Sequence, residues 1–145
     1  MGITNSNKEI NLSQIDCDGT LKVTLALSAV SDISATPADI VLVLDRSGSM
    51  AGSPLENMKA GADTFIDIID EATDGAGDGT IGSGSRIGIV SFASTATADT
   101  QLITSVADLK DAGAGLTAGG STNHADAFTT AVSLFDPLSA NAKVI

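Results

Sequence analysis

Residues 40–50 read IVLVLDRSGSM. Five apolar residues, Ile40 to Leu44, run without a polar break into Asp45, Ser47 and Ser49. A strand with one wet face alternates apolar and polar side chains. One that is apolar on both faces belongs inside a parallel sheet covered by helices on either side. In such sheets ligands collect just beyond the carboxyl ends of the strands. The oxygen-bearing residues therefore stand where a binding site is expected, and Gly48 lets the turn that carries them be tight.

One carboxylate and two hydroxyls at spacings of two residues form an oxygen-only donor set, which suits a hard cation such as Mg²⁺ or Mn²⁺. Spacing alone leaves a second reading open. Serine-rich turns commonly follow strands, and helix starts favour Ser and Asp for capping.

Working outward, Ser53-Pro54-Leu55-Glu56 has the form of a capping box with proline in the first turn. Leu55, Met58, Ala62, Phe65, Ile66 and Ile69 then mark one stripe of an amphipathic helix. The stretch 74–85, DGAGDGTIGSGS, reads as a glycine-rich loop. RIGIVSF, 86–92, is a second interior strand, and 97–104 a more polar edge strand. A short helix is expected from Ser105 to about Ala112, and another over Thr122–Phe135 with Ala127, Phe128, Ala131, Val132 and Phe135 on its buried face. Pro137 follows that helix, and KVI at 143–145 opens a further strand. Strands alternating with helices give an α/β fold with a mostly parallel sheet. Ahead of it, Leu21, Val23, Leu25 and Leu27 alternate with Lys22, Thr24 and Ala26, a strand pattern. Ile10, Leu12 and Ile15 suggest an earlier strand, with DCDGT as the turn between them. Residues 1–36 are thus expected to be a β-segment and linker, and 37–145 the α/β domain.

The chain has 145 residues, 43% of them hydrophobic, enough for one domain with a buried core. Seven Lys+Arg against 18 Asp+Glu give a net charge of −11, which opposes binding to nucleic acid or to anionic membranes. No apolar run approaches the roughly 18 residues of a membrane span, so no membrane insertion is expected. MGITNSNKEI lacks the apolar core of a signal peptide. The single cysteine, Cys17, excludes an internal disulfide and a cysteine-based zinc site. The acidic run 70–79 fails as an EF-hand loop, because Ala72 and Ile81 fall where ligands are required, and it reads as a solvated loop.

DIVLVLDRSGSM resembles the first motif of the von Willebrand factor type A domain family, Asp-x-Ser-x-Ser after the first core strand. RIGIVSFAS is similar to the family's second strand, and LTAGGSTNHADAF to its Gly-Gly-Thr-Asn loop and following helix. The resemblance covers about residues 38–145, with the three segments in family order. It implies a Rossmann-like, doubly wound, mostly parallel sheet, and a metal-ion-dependent adhesion site made by these loops. Carried over, Ser47 and Ser49 bind the cation through their hydroxyls. Asp45 holds metal-bound water and orients the loop, and Thr122 is the ligand from the third segment. Ser121 is the alternative to Thr122, since the usual Gly-Gly-Thr reads Gly119-Gly120-Ser121-Thr122 here. The family pattern continues beyond a strand like KVI to a Thr-Asp-Gly motif whose aspartate completes the site. The sequence thus resembles the front part of the domain, truncated after the start of the fourth core strand. The remaining C-terminal half is expected on a separate or cleaved chain, and weak cation binding by these residues alone.

The function this implies is a metal-dependent protein-binding module for adhesion or surface assembly, outside a bacterial cell or on its surface. It binds a partner's carboxylate through Mg²⁺ or Mn²⁺, with Ca²⁺ a further candidate. The alternative within the same family is an intracellular partner-binding subunit of an ATPase or chelatase-type complex. The residues show no nucleophile paired with a base and no phosphate loop, so no enzymatic activity is expected.

Overall fold

In the computed structural model, the structure describes residues 2–9, 24–30 and 36–145 apart from 76. The chain divides into two compact units, Met1–Ser34 and Ala35–Ile145. In the first, β1 (Gly2–Glu9) pairs antiparallel with β2 (Thr24–Val30). The earlier strand thus comes before the position read from Ile10, Leu12 and Ile15. Those residues, Cys17 and the DCDGT turn lie outside the described residues.

The second unit begins with β3 (Ala38–Asp45), followed by α1 (Ser53–Asp74) and β4 (Arg86–Phe92). Then come β5 (Ala96–Ala98), α2 (Val106–Ala114), α3 (His124–Ser133) and β6 (Ala142–Val144). The sheet order is β5-β4-β3-β6, with β3 parallel to both neighbours and β5 antiparallel at the edge. Both faces of β3 are used. Ile40 and Leu44 pack with Ile66 of α1, Leu109 of α2 and Ile87 and Ile89 of β4. Val41 packs on the other face with Val90 and with Ala131 of α3. This is the three-layer, mostly parallel architecture that the unbroken apolar run requires. The β6 ladder covers only Ala38 to Ile40, so beyond Ile40 the strand has a β neighbour on the β4 side alone among the described residues.

Several boundaries differ from the sequence expectations. The cap of α1 is Gly52, at φ 81°, with no side-chain cap bond; Ser53 is already helical, so the capping box does not form. The edge strand shrinks to Ala96–Ala98, and Ile103 adds only an isolated bridge to Ile87. In α3 the small residues Ala127 and Ala131 face the sheet, whereas Phe128 and Val132 are 53% and 59% exposed. A helix packed closely on a sheet buries its small side chains and turns its large ones to the flank.

The foot of β3 is fixed by an ion pair. Asp39, fully buried, accepts from Arg86 Nε at 2.9 Å and Nη2 at 2.8 Å, a bidentate contact between partners in register on β3 and β4. Ser139 Oγ and Asn141 Nδ2 also donate to it, at 3.1 and 2.9 Å, and Asn141 Nδ2 reaches the Gly84 carbonyl at 3.0 Å. One carboxylate thereby joins β3, β4, the turn before β4 and the segment leading into β6. The Arg86 hydrogen bond, helped by those from Asn141 and Ser139, holds the Asp39 carboxyl below its usual pKa despite the opposing cost of burial.

The glycine-rich loop after α1 is also anchored. Asp70, 4% exposed, accepts from the Gly79 N–H at 3.0 Å, and Thr73 Oγ1 accepts from the Gly82 N–H at 2.9 Å. The acidic run is therefore partly a structural brace rather than wholly a solvated loop.

Candidate metal centre

The β3–β4 ladder ends at the pair Asp45–Phe92, and Arg46 extends it by donating its N–H to the Phe92 carbonyl at 2.9 Å. The chain then turns. Asp45 Oδ1 accepts the Ser47 N–H at 2.7 Å, an Asx turn that folds the carboxylate over the next two residues. A 3-10 turn, Gly48–Met50, follows, closed by Met50 N–H to the Ser47 carbonyl at 2.9 Å. Ser47 is 1% exposed and Ser49 is exposed, and their Oγ atoms stand 3.2 Å apart.

A second loop is locked to this one by a reciprocal pair of backbone bonds. Gly119 N–H donates to the Arg46 carbonyl at 2.8 Å, and Gly48 N–H donates to the Gly120 carbonyl at 2.9 Å. The approach favours glycine: a Cβ on Gly48 would lie 3.2 Å from the Gly120 oxygen, so the second loop would have to give by a few tenths of an ångström. Gly120 takes φ 81°, a conformation open to glycine at little cost.

The turn after β4 supplies a third segment. Ala93 O accepts the Asn123 N–H at 2.8 Å, and Ser94 Oγ accepts the Ser121 N–H at 3.0 Å. Asn123 caps α3 by accepting the Asp126 N–H at 3.2 Å, and Asp126 Oδ2 accepts the Ala96 N–H at 2.6 Å. The structure thus brings the loops carrying Asp45, Ser47 and Ser49 against the loop carrying Thr122. Thr122 itself is exposed and forms no direct hydrogen bond with the two serines. Ser121, the alternative, directs both its N–H and its Oγ at Ser94, the hydroxyls 3.1 Å apart. His124 opens α3, exposed, with its ring 5.2 Å from that of Phe92.

The donors fit a hard cation. Two oxygens on neighbouring vertices of an octahedron with bonds near 2.1 Å lie about 3 Å apart, close to the serine pair. Arg46 Nε donates to Ser91 Oγ at 3.2 Å, and Ser91 shares its strand face with Ile87 and Ile89, which pack on α1 and α2. Among the described residues no cluster of three or more His, Cys, Asp or Glu side chains is placed to hold a metal ion. The candidate centre is instead one carboxylate among hydroxyls. The sequence named the candidate ligands and the Gly119-Gly120 pair, but not the bracing role of those glycines nor Ser94, whose only signal was its place at the end of RIGIVSFAS.

A family model described as von Willebrand factor type A domain matches residues 40–145. The chain belongs to that family. Among solved structures, the von Willebrand factor domain of the type V pili tip protein Mfa5 from Porphyromonas gingivalis superposes with a TM-score of 0.65 at 22% identity. The match covers 75% of this chain and 36% of that one. Proximal thread matrix protein 1 from the mussel byssus, with a zinc-occupied MIDAS motif, matches at TM-score 0.57 and 28% identity over 74% of this chain and 27% of that one. A von Willebrand factor type A protein from Catenulispora acidiphila matches at TM-score 0.57 and 26% identity, covering 83% and 26%. The chain therefore spans only about a quarter to a third of these proteins' lengths. No curated protein matches the chain. Among the described residues no helix is long and apolar enough to cross a membrane.

Proposed function

We propose that this domain is a protein-binding module that holds a divalent cation, Mg²⁺ or Mn²⁺, at the carboxyl end of β3 and accepts a carboxylate from a partner protein. Ser47 and Ser49 are the direct hydroxyl ligands, Asp45 orients their turn and holds metal-bound water, and Thr122 faces the cation from the second loop. The observation that carries the reading is the reciprocal Gly119–Arg46 and Gly48–Gly120 bonding, which joins two segments about 70 residues apart around the serine pair. Thr122 is assigned the role ahead of Ser121 because Thr122-Asn123 is the better match to the family's Thr-Asn loop, while Ser121 turns both its N–H and its hydroxyl to Ser94. The bound cation would supply Lewis acidity toward a carboxylate, and the site's role is binding rather than catalysis. Adhesion or surface assembly outside the cell fits the company of a pilus tip protein and a byssus matrix protein.

Titrating Mn²⁺ into the full-length protein and into Asp45→Ala tests this. The variant should bind about 10–100-fold more weakly. Equal affinity in both removes the reading.

A further inference from the structure

We infer that Ser94, in the turn after β4, is a positioning residue that sets the distance between the serine pair and Thr122. The inference rests on the cation reading above and adds to it a residue outside the Asp-x-Ser-x-Ser motif. Ser94 Oγ accepts the Ser121 N–H at 3.0 Å and pairs with Ser121 Oγ at 3.1 Å, two solvent-exposed hydrogen bonds whose loss is expected to shift the unfolding midpoint only slightly. Its carbonyl accepts from Asn123 Nδ2 at 3.4 Å. Residues on both sides of Thr122 are thus fixed to one turn. Gly120 packs on the same hydroxyl so closely that a Cβ there would lie 2.8 Å from Ser94 Oγ. The Gly120 carbonyl in turn holds the Gly48 N–H, and Gly48 lies between Ser47 and Ser49.

A continuous series of contacts therefore runs from Ser94 through Ser121 and Gly120 to Gly48. Shifting the Ser94 hydroxyl moves the second loop, and with it the backbone bond that places both serines. Ser94 is exposed and no part of the apolar clusters, so its removal acts on the loops and not on the core. Groups hydrogen-bonded directly to metal ligands typically change affinity by about 10–100-fold, and Ser94, one residue removed from Thr122 in its bonding, is expected at the low end of that range.

Ser94→Ala, Ser94→Thr and Thr122→Ala in the full-length protein, each read three ways, test this. In metal-free Ser94→Ala the Gly48 amide should exchange with solvent about fivefold faster than in the parent, reporting local opening at the Gly120 bond. Its Mn²⁺ affinity should fall about tenfold while the unfolding midpoint shifts by no more than a few degrees, roughly what two exposed hydrogen bonds contribute. Ser94→Thr, which keeps the hydroxyl, should restore both. If Ser94→Ala leaves Gly48 exchange and Mn²⁺ affinity at parent values while Thr122→Ala loses affinity, Ser94 has no such role and the cation reading stands. If the parent protein fails to bind Mn²⁺, the cation reading falls and this inference with it.

Discussion

Strand β3 carries an aspartate at each end, and the two are treated in opposite ways. Asp39 is fully buried, and three side chains donate to it. Asp45, about 20 Å away at a strand's rise per residue, is half-buried and receives one backbone N–H. Arg86, Ser139 and Asn141 occupy the lone pairs of Asp39, so it has nothing left for a ligand. Asp45 and its two serines keep oxygens available beside a loop pinned by backbone bonds to the Arg46–Gly48 turn and by the Ser94 hydroxyl. In this strand full satisfaction marks the structural end, and partial satisfaction on a braced frame marks the end where we propose that the cation binds.

The largest effect is expected at the structural end. Asp39→Ala leaves Arg86 half-buried without its carboxylate and should cost about 3 kcal/mol in denaturant unfolding near neutral pH. Because the folded carboxyl titrates below its ordinary 3.8, this contribution is complete above about pH 4. It disappears as pH falls through the lower folded value. The stability gap between parent and variant should therefore narrow on acidification below pH 4, and a gap constant down to pH 2 would contradict the assignment.

At the binding end the balance reverses. Asp45→Ala should lower stability by no more than about 1 kcal/mol, the value of one hydrogen bond, while weakening Mn²⁺ as described above. A loss as large as that of Asp39→Ala would erase the contrast. Asp70 sharpens it further. It is buried like Asp39, but it sits at the negative end of α1, whose last turn has no basic residue, and its Oδ1 has no hydrogen-bond partner among the described residues. Asp70→Asn keeps an acceptor for Gly79 and removes a charge from that end. It should change stability by less than about 1 kcal/mol in a thermal melt.

These residues also show what a sequence can reveal. The interior strands were legible because Ile40–Leu44 and Ile87–Phe92 are apolar on both faces, and α1 because its apolar spacing is helical. Asp45, Ser47 and Ser49 were legible because they are local and follow a strand end. The Asp39 network was not, since its partners lie 47, 100 and 102 residues away and follow no local period. Asp70 left a trace that the composition of its loop concealed: Ala62, Ile66 and Asp70 follow at intervals of four on the buried face of α1. Phe128 and Val132 misled because apolar spacing fixes a helix stripe but not how closely the helix approaches the sheet. Ser94 was obscured because its work is done through hydrogen bonds to a loop 27 residues on.

The proposed cation site lies at the Asp45 end of β3, with no second one elsewhere on this domain. Adding substoichiometric Mn²⁺ to the isotopically labelled full-length protein and following its backbone amide resonances tests this most directly, since the paramagnetic ion broadens its neighbours. Early loss of the signals of Ser47–Met50 and Gly119–Asn123 is expected, with Asp39, Arg86 and Asn141 remaining sharp. Broadening centred on the acidic loop at 70–79, or spread evenly over the acidic surface, would contradict it.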